Sequence, residues 1–353
     1  MKITFLTPYP ESKAPSQRFR FEQHFQFLKE ADISFQTYSF LDNNAWKNIY
    51  KTGSGFSKGI SILNGFFKRV LHLLKITSSD YVFIHREITP IGPPIFEWVI
   101  AKILRKRIIY DFDDAIWLND PNEKGILSWL KWKSKISSIC KWSYKVSCGN
   151  EYLMNYALQF NKNVVYNPTT IDTKNQHNGV KEHMDKEPVI IGWTGTHTTL
   201  YYLNQVERTL KNITERQECK LLIIANRKPN LSLEFEFIKW SKESEIEDLL
   251  KIDIGIMPLT DDQWSEGKCG FKALQYMALG IPTIASPVGV NSTIIDSTSD
   301  GYLAESKEEW ENALIQLIED VQLRKAIGLK GREKVESSYS VESNKNNFLK
   351  LFS

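Results

Sequence analysis

The sequence predicts an α/β fold of two doubly wound, Rossmann-like domains facing each other across a cleft. Three observations carry that reading. Apolar, β-rich runs alternate with stretches whose apolar spacing suits helices, as in parallel sheets covered on both faces. The alternation stops in a polar segment at 167–188, which holds Pro168, Gly179 and Pro188, and then restarts. At 353 residues the chain is also too long for one ordinary core and suits two domains of roughly 150–180 residues.

Each element follows from its local pattern. The chain opens with an apolar strand at 2–7, stopped by Pro8 and Pro10, and a helical pattern follows at 19–28. Apolar runs at 81–84, 107–110, 145–147 and 164–166 read as further strands, with a helix at 95–104 between two of them. After the polar segment, strands are expected at 189–192, 220–225, 252–257 and 282–285, separated by helices at 200–213, 243–250 and 270–279. The charged stretch 308–352 is helix-forming, with breaks near Gly328 and Gly331. The expected division is a first domain at 1–170, a linker at 171–188, a second domain at 189–335 and a C-terminal helix at 336–353 that packs back on the first domain.

Composition removes several classes. No apolar run reaches the roughly 18 residues of a membrane span, and the opening residues lack the apolar core of a secretory signal. A cytoplasmic location is therefore expected. Cys140, Cys148, Cys219 and Cys269 form no CxxC pair, which argues against disulfides or structural zinc. The net charge of +3 hides an asymmetry: residues 1–170 carry 23 Lys and Arg against 14 Asp and Glu, and the remainder carries 22 against 28. A basic half suits nucleic acid, anionic lipid or an anionic substrate, and charge alone does not choose among them.

Ligands of open α/β sheets bind at the carboxyl ends of the strands. In the second domain the first strand runs into Gly192-Trp193-Thr194-Gly195-Thr196-His197-Thr198-Thr199. Glycines allow close backbone approach and a helix start offers N–H groups to an anion, so Gly195, Thr196 and Thr198 are candidates to hold a diphosphate; a purely structural turn would carry the same residues. Further along, 265–282 places Glu266, Lys268, Gly270, Phe271, Lys272 and Gln275 at a glycine turn and on the helix after it. Cations, N–H donors and an amide together suit a sugar nucleotide. Asn226, after the 220–225 strand, and Trp240 complete the donor-binding set.

The run from Pro258 through Gly280-Ile281-Pro282-Thr283-Ile284-Ala285-Ser286-Pro287-Val288-Gly289 resembles the donor-site signature of family 4 glycosyltransferases (glycosyl transferases group 1) of the GT-B fold. In that family the donor helix ends in a Glu-Ala-Met-Ala-x-Gly-x-Pro pattern. The resemblance puts Gln275 where the family's Glu holds the nucleotide ribose, gives Lys272 a lysine position seen in many relatives, and makes 266–270 the stretch that cradles sugar and phosphates. It implies a retaining, metal-independent transfer with no cofactor beyond the nucleotide-sugar substrate. Two departures stand out. The family's paired glutamates, seven residues apart, are missing here, and its Arg and Lys after the first strand of this domain are replaced by Gly195, Thr196 and Thr198.

In the first domain, strand-end loops hold His85-Arg86-Glu87 and Asp111-Phe112-Asp113-Asp114. Imidazole and carboxylate groups there could deprotonate an acceptor hydroxyl, so His85, Asp113 and Asp114, with Lys268, form the catalytic set. A strand-end Asp also caps the following helix in many folds. Asp111-x-Asp113 further mimics the Asp-x-Asp of metal-dependent enzymes, but no metal site is expected. Arg18 and Arg20, after the first strand, suit phosphate and join Arg86 and Glu87 on the acceptor side.

Two acid-free stretches concentrate the basic excess. Lys124, Lys131, Lys133, Lys135, Lys141 and Lys145 interleave with Leu127, Trp129, Trp132 and Trp142, and 51–75 combines five basic residues with Phe56, Ile60, Leu63, Phe66 and Phe67. Such stretches suit an anionic membrane surface, or else a core-facing Trp face with solvated Lys; no nucleic-acid motif accompanies them. The reading reached is a glycosyltransferase moving a sugar from a nucleotide-sugar donor to a hydroxyl of a glycan or lipid-linked acceptor, in cell-surface glycan or glycolipid synthesis, peripheral on the inner membrane face. A sugar-nucleotide epimerase of the same fold and a catalytically silent nucleotide-sugar-binding protein are the alternatives.

Overall fold

The computed structural model describes residues 1–49, 55–119, 128–185 and 188–353. The chain divides into two compact units, Met1–Thr169 with Lys345–Ser353, and Thr170–Asn344. Each is a six-stranded, wholly parallel sheet flanked by helices.

The first sheet contains β1 (Lys2–Thr7), β2 (Ser34–Ser39), β3 (Tyr81–His85), β4 (Arg107–Phe112), β5 (Lys145–Cys148) and β6 (Val164–Tyr166), in the order β2-β1-β3-β4-β5-β6. Ile3, Phe5, Phe83 and Ile109 on one face pack with Phe21 and Phe25, and the same core takes in Phe348, Leu351 and Phe352 from the end of the chain. Register matters most at one edge: His85 pairs with Asp111, and Asp111 with Ser147, so three polar side chains lie side by side on adjacent strands.

The second sheet holds β7 (Val189–Gly195), β8 (Cys219–Ala225), β9 (Glu236–Lys239), β10 (Ile254–Met257), β11 (Thr283–Ala285) and β12 (Tyr302–Leu303), ordered β12-β11-β10-β7-β8-β9. Alternation along β8 shows both faces covered. Leu221 and Ile223 join a core with Trp193 and Leu314, whereas Leu222 and Ile224 join another with Tyr276 and Leu279.

Residues 171–188, read as a linker, lie inside this second unit. Lys181 pairs with the buried Asp253 at 2.8 Å, and His183 meets the Gly280 carbonyl at 3.0 Å. The polar composition that suggested a linker serves these buried contacts instead. Among the chain's last residues, only Lys345–Ser353 belongs to the first unit; 336–344 stays with the second.

Over 128–145, the described part of the basic stretch, the lysines divide between committed and exposed positions. Lys135 is buried, 2.8 Å from Glu87, and donates to the Thr89 carbonyl; Lys145 is buried and donates to the Lys350 carbonyl at 2.6 Å; Lys133 donates to the Leu118 carbonyl. Lys131, Lys141, Trp129 and Trp132 are exposed. Lys51, Lys124 and Leu127 lie outside the described residues.

Candidate functional site

In the first unit the sequence-predicted residues divide into two ion-paired groups. The inner group is fully buried. Arg20, at the end of the Pro15–Arg20 helix, pairs with Asp111 and donates to the Asn167 carbonyl; Asp111 also accepts from Ser147 Oγ at 2.6 Å and contacts His85 Nδ1 at 2.8 Å. Burial alone would raise the Asp111 carboxyl, but the Arg20 charge, the His85 contact and the hydrogen bonds outweigh it and hold it well below the usual carboxylate range. The contact at Nδ1 leaves His85 Nε2 as the ring nitrogen without a hydrogen-bond partner among the described residues. The ring is wholly enclosed, beside Phe21, so no acceptor hydroxyl reaches it in this arrangement.

Arg20 thus differs from its expected role. Its guanidinium is committed to Asp111 and the Asn167 carbonyl rather than offered to phosphate, because burial takes it out of water and these groups replace its hydration. Arg18 is also buried, with its guanidinium 4.9 Å from the Phe19 ring.

The outer group is half-buried. Arg86 Nε meets Asp113 at 2.7 Å and its Nη2 meets Asp114 at 2.6 Å. Arg86 has φ of 58°, in the left-handed region, held by its N–H to the Asp111 carbonyl and by Tyr110 Oη donating to its own carbonyl. Although burial opposes its charge, the two carboxylates raise its pKa well above the usual arginine value. Asp113 and Asp114 thus share one guanidinium, which leaves the group with a net negative charge. Glu87 likewise pairs with Lys135. Asp111 and Asp113 serve separate arginines, and among the described residues no cluster of three or more His, Cys, Asp or Glu could hold a metal ion.

The second unit places the donor candidates at and beyond the carboxyl ends of β7, β8, β9 and β10. Gly195 ends β7; beyond it, Thr196 Oγ1 lies 2.8 Å from Thr198 Oγ1. Asn226, following β8, accepts the His197 N–H at 2.7 Å, so it pins the loop of its neighbour strand. Trp240, past β9, donates its indole N–H to Glu245 at 3.2 Å.

The glycine turn is built for a close approach. Gly270 has φ of +67°, and a Cβ there would lie 2.1 Å from Ile294 Cδ1. It opens the Phe271–Ala278 helix at a position where, having no side chain, it makes no cap hydrogen bond itself. Tyr276 locks this helix to β7 by accepting the Thr194 N–H at 2.8 Å. At the other helix end, Arg332 donates to the Ala278 carbonyl at 2.5 Å, which suits the negative pole. Gly289, with φ of +56°, sits where a Cβ would be 2.8 Å from the Glu266 carbonyl, and so brings the turn after β11 against the end of the Gln263–Glu266 helix.

Around this turn, Lys268 Nζ lies 4.8 Å from the Trp264 ring and Lys272 Nζ 5.6 Å from the Trp193 ring. Phe271 and Lys272 are half-buried. Gln275 is only 2% exposed and faces His177, with Nε2 to Nε2 at 3.4 Å. The nitrogen of this amide is thus already engaged by the protein. Sequence reasoning missed His177, which sits in the presumed linker, and Asn291, whose buried side chain lies by Gly270 with Oδ1 unpartnered among the described residues. The Val-Gly turn just before it was the available signal for Asn291. A separate cavity of about 740 Å³, lined by Lys211, Lys220 and Lys228 among others, opens where β8 begins, away from these strand ends.

Residues 189–320 match the family described as glycosyl transferases group 1. No curated protein matches the sequence. Among solved structures, sucrose-phosphate synthase from Thermosynechococcus elongatus superposes with a TM-score of 0.73 at 13% identity, covering 99% of this chain and 98% of that one. A glycosyltransferase from Rickettsia africae gives 0.68 at 15% identity over 99% and 97%, and Anabaena HepE, solved in complex with UDP and glucose, gives 0.64 at 13% over 99% and 98%. The fold is GT-B, and it is the second unit that holds the match to glycosyl transferases group 1.

Proposed function

We propose that the protein transfers a sugar from a nucleoside-diphosphate donor to a hydroxyl acceptor, with retention of anomeric configuration and without a metal ion. The observation that carries the reading is the Gly270 turn: a left-handed glycine opening the Phe271–Ala278 helix, flanked by Lys268 and Lys272, inside the family-matched region. The leaving diphosphate gains charge as the glycosidic bond breaks. Oriented N–H groups and lysines there stabilise it without the reorganisation that water would need. Anabaena HepE, whose structures hold UDP or UDP-glucose, supports a nucleotide sugar as donor.

On the acceptor side, Asp111 orients His85 through Nδ1, while Arg86, Asp113 and Asp114 form a charged rim. This assignment makes His85 and Asp111 a positioning pair for the acceptor loops. The match to glycosyl transferases group 1 favours transfer over the epimerase alternative. A lipid-linked acceptor at a membrane surface fits the basic first unit.

Thermal shift with UDP and UDP-glucose, followed by donor turnover with and without EDTA, tests the reading. Both ligands are expected to raise the melting temperature, and turnover is expected to persist under chelation. No stabilisation by any nucleoside diphosphate or its sugars, together with no turnover, would overturn it. Loss under EDTA restored by manganese would overturn the metal-independent step alone.

A further inference from the structure

The Gly55–Ile76 helix is attached to the first unit along one side only. Gly65, Arg69 and Ile76 are buried, and a Cβ on Gly65 would come within 2.5 Å of the Phe40 ring. On the other side Phe56, Ile60, Leu63, Phe67, Val70 and Leu74 are between 52% and 86% exposed. Their spacing alternates between four and three residues, which at roughly 100° per residue confines them to one stripe about 80° wide. Solvent-facing apolar patches of this extent mark an interaction surface.

Charge selects the occupant. The helix contains no acidic residue, while Lys58, Lys68, Arg69 and Lys75 are basic. Lys68 and Lys75 fall on one flank of the stripe, and Lys68 also meets Asp42 at 2.8 Å. A second copy of the helix would set lysine against lysine with no carboxylate of its own to pair. Among the described residues no helix is long and apolar enough to cross a membrane. Aromatic and aliphatic side chains on one face with lysines at its flank suit a helix lying in the headgroup plane.

We propose that this stripe seats the first unit on a membrane surface carrying anionic lipids, beside the acceptor-side loops. The proposal deepens the lipid-linked acceptor reading above and gives it a place. Arg69, on the buried side, donates to the carbonyls of Thr7 at 2.6 Å, Tyr38 at 2.8 Å and Ile88 at 3.0 Å. Thr7 ends β1, Tyr38 lies near the end of β2, and Ile88 follows β3. One guanidinium thus ties the membrane-facing helix to the carboxyl ends of three strands, where an α/β sheet receives its ligand. Ile95 and Trp98 extend the exposed apolar surface on the adjoining helix, which Phe66 touches through Phe96 at a centroid distance of 6.2 Å.

The test uses the full chain, wild type and Leu63→Gln/Phe67→Gln/Leu74→Gln, sedimented with phosphatidylcholine vesicles with and without phosphatidylglycerol. Wild type should bind the phosphatidylglycerol vesicles at least about tenfold more tightly than the neutral ones, and the triple variant should lose at least about tenfold at an unchanged melting temperature. Lys131→Glu/Lys141→Glu should stay within about twofold of wild type, because its charges lie outside the stripe. Equal sedimentation of wild type and the triple variant overturns the proposal. So does a wild-type dimer in analytical ultracentrifugation that the triple variant dissolves while vesicles bind neither form. Vesicle binding reads no sugar transfer, so a failed donor assay leaves this inference standing and a failed vesicle assay leaves the donor site standing.

Discussion

Asp111 shows how a single residue ties stability to pH. Its folded-state pKa is depressed, so the unfolded chain binds the proton more readily. The resulting stability is fully present above the ordinary carboxylate range and is lost as pH falls through it toward the lower folded value. Urea denaturation should therefore show wild type weakening below about pH 4, with Asp111→Asn much flatter across the same window. At pH 7 the same substitution should cost about 3–5 kcal/mol, because it leaves Arg20 buried without its carboxylate. Lys272 and Gln275 separate in the same way. Lys272→Ala should weaken UDP binding about tenfold and change stability by no more than about 0.5 kcal/mol. Gln275→Ala should instead cost about 1–3 kcal/mol of stability, since its amide is buried against His177. Calorimetric titration and urea denaturation of both variants check the pair.

Among the elements, the donor helix depends on one dihedral angle. Gly270→Ala forces an L residue into φ of +67° and drives a methyl against Ile294. At least about 2 kcal/mol of destabilisation is expected, with nucleotide binding lost, measured by urea denaturation and titration. Glycine at this point, and its lysine neighbours, are legible in sequence because their chemistry is local. Strands β1, β3, β4, β7 and β8 are legible for a similar reason: each is an apolar run buried on both faces. Edge strand β2 is not, since Ser34-Phe35-Gln36-Thr37-Tyr38-Ser39 is half-exposed and needs only Phe35 for the core. The Gln275 to His177 contact joins residues 98 positions apart, and the Arg20 to Asp111 pair joins residues 91 apart. No local pattern announces that such polar groups will be spent on each other, and this is why Arg20 reads from sequence as a phosphate ligand.

Across the whole molecule, the first unit owes part of its core to the chain's final segment. Phe348, Leu351 and Phe352 are buried against Phe5 and Phe83, each burial worth about 1.5–3 kcal/mol. Removing residues 345–353 should consume most of a typical stability of about 5–15 kcal/mol. Limited proteolysis of the truncated chain should digest 1–169 while a fragment containing 170–344 persists; equal resistance of both would refute the dependence. The same segment sets an order of events during synthesis. A domain made first on the ribosome ordinarily finishes folding first. Here the first unit waits, with part of its aromatic core open, until all of 170–344 has been translated and the closing phenylalanines emerge. The uninterrupted second unit can complete itself earlier, so the nascent first unit is the part of the chain with most need of a chaperone.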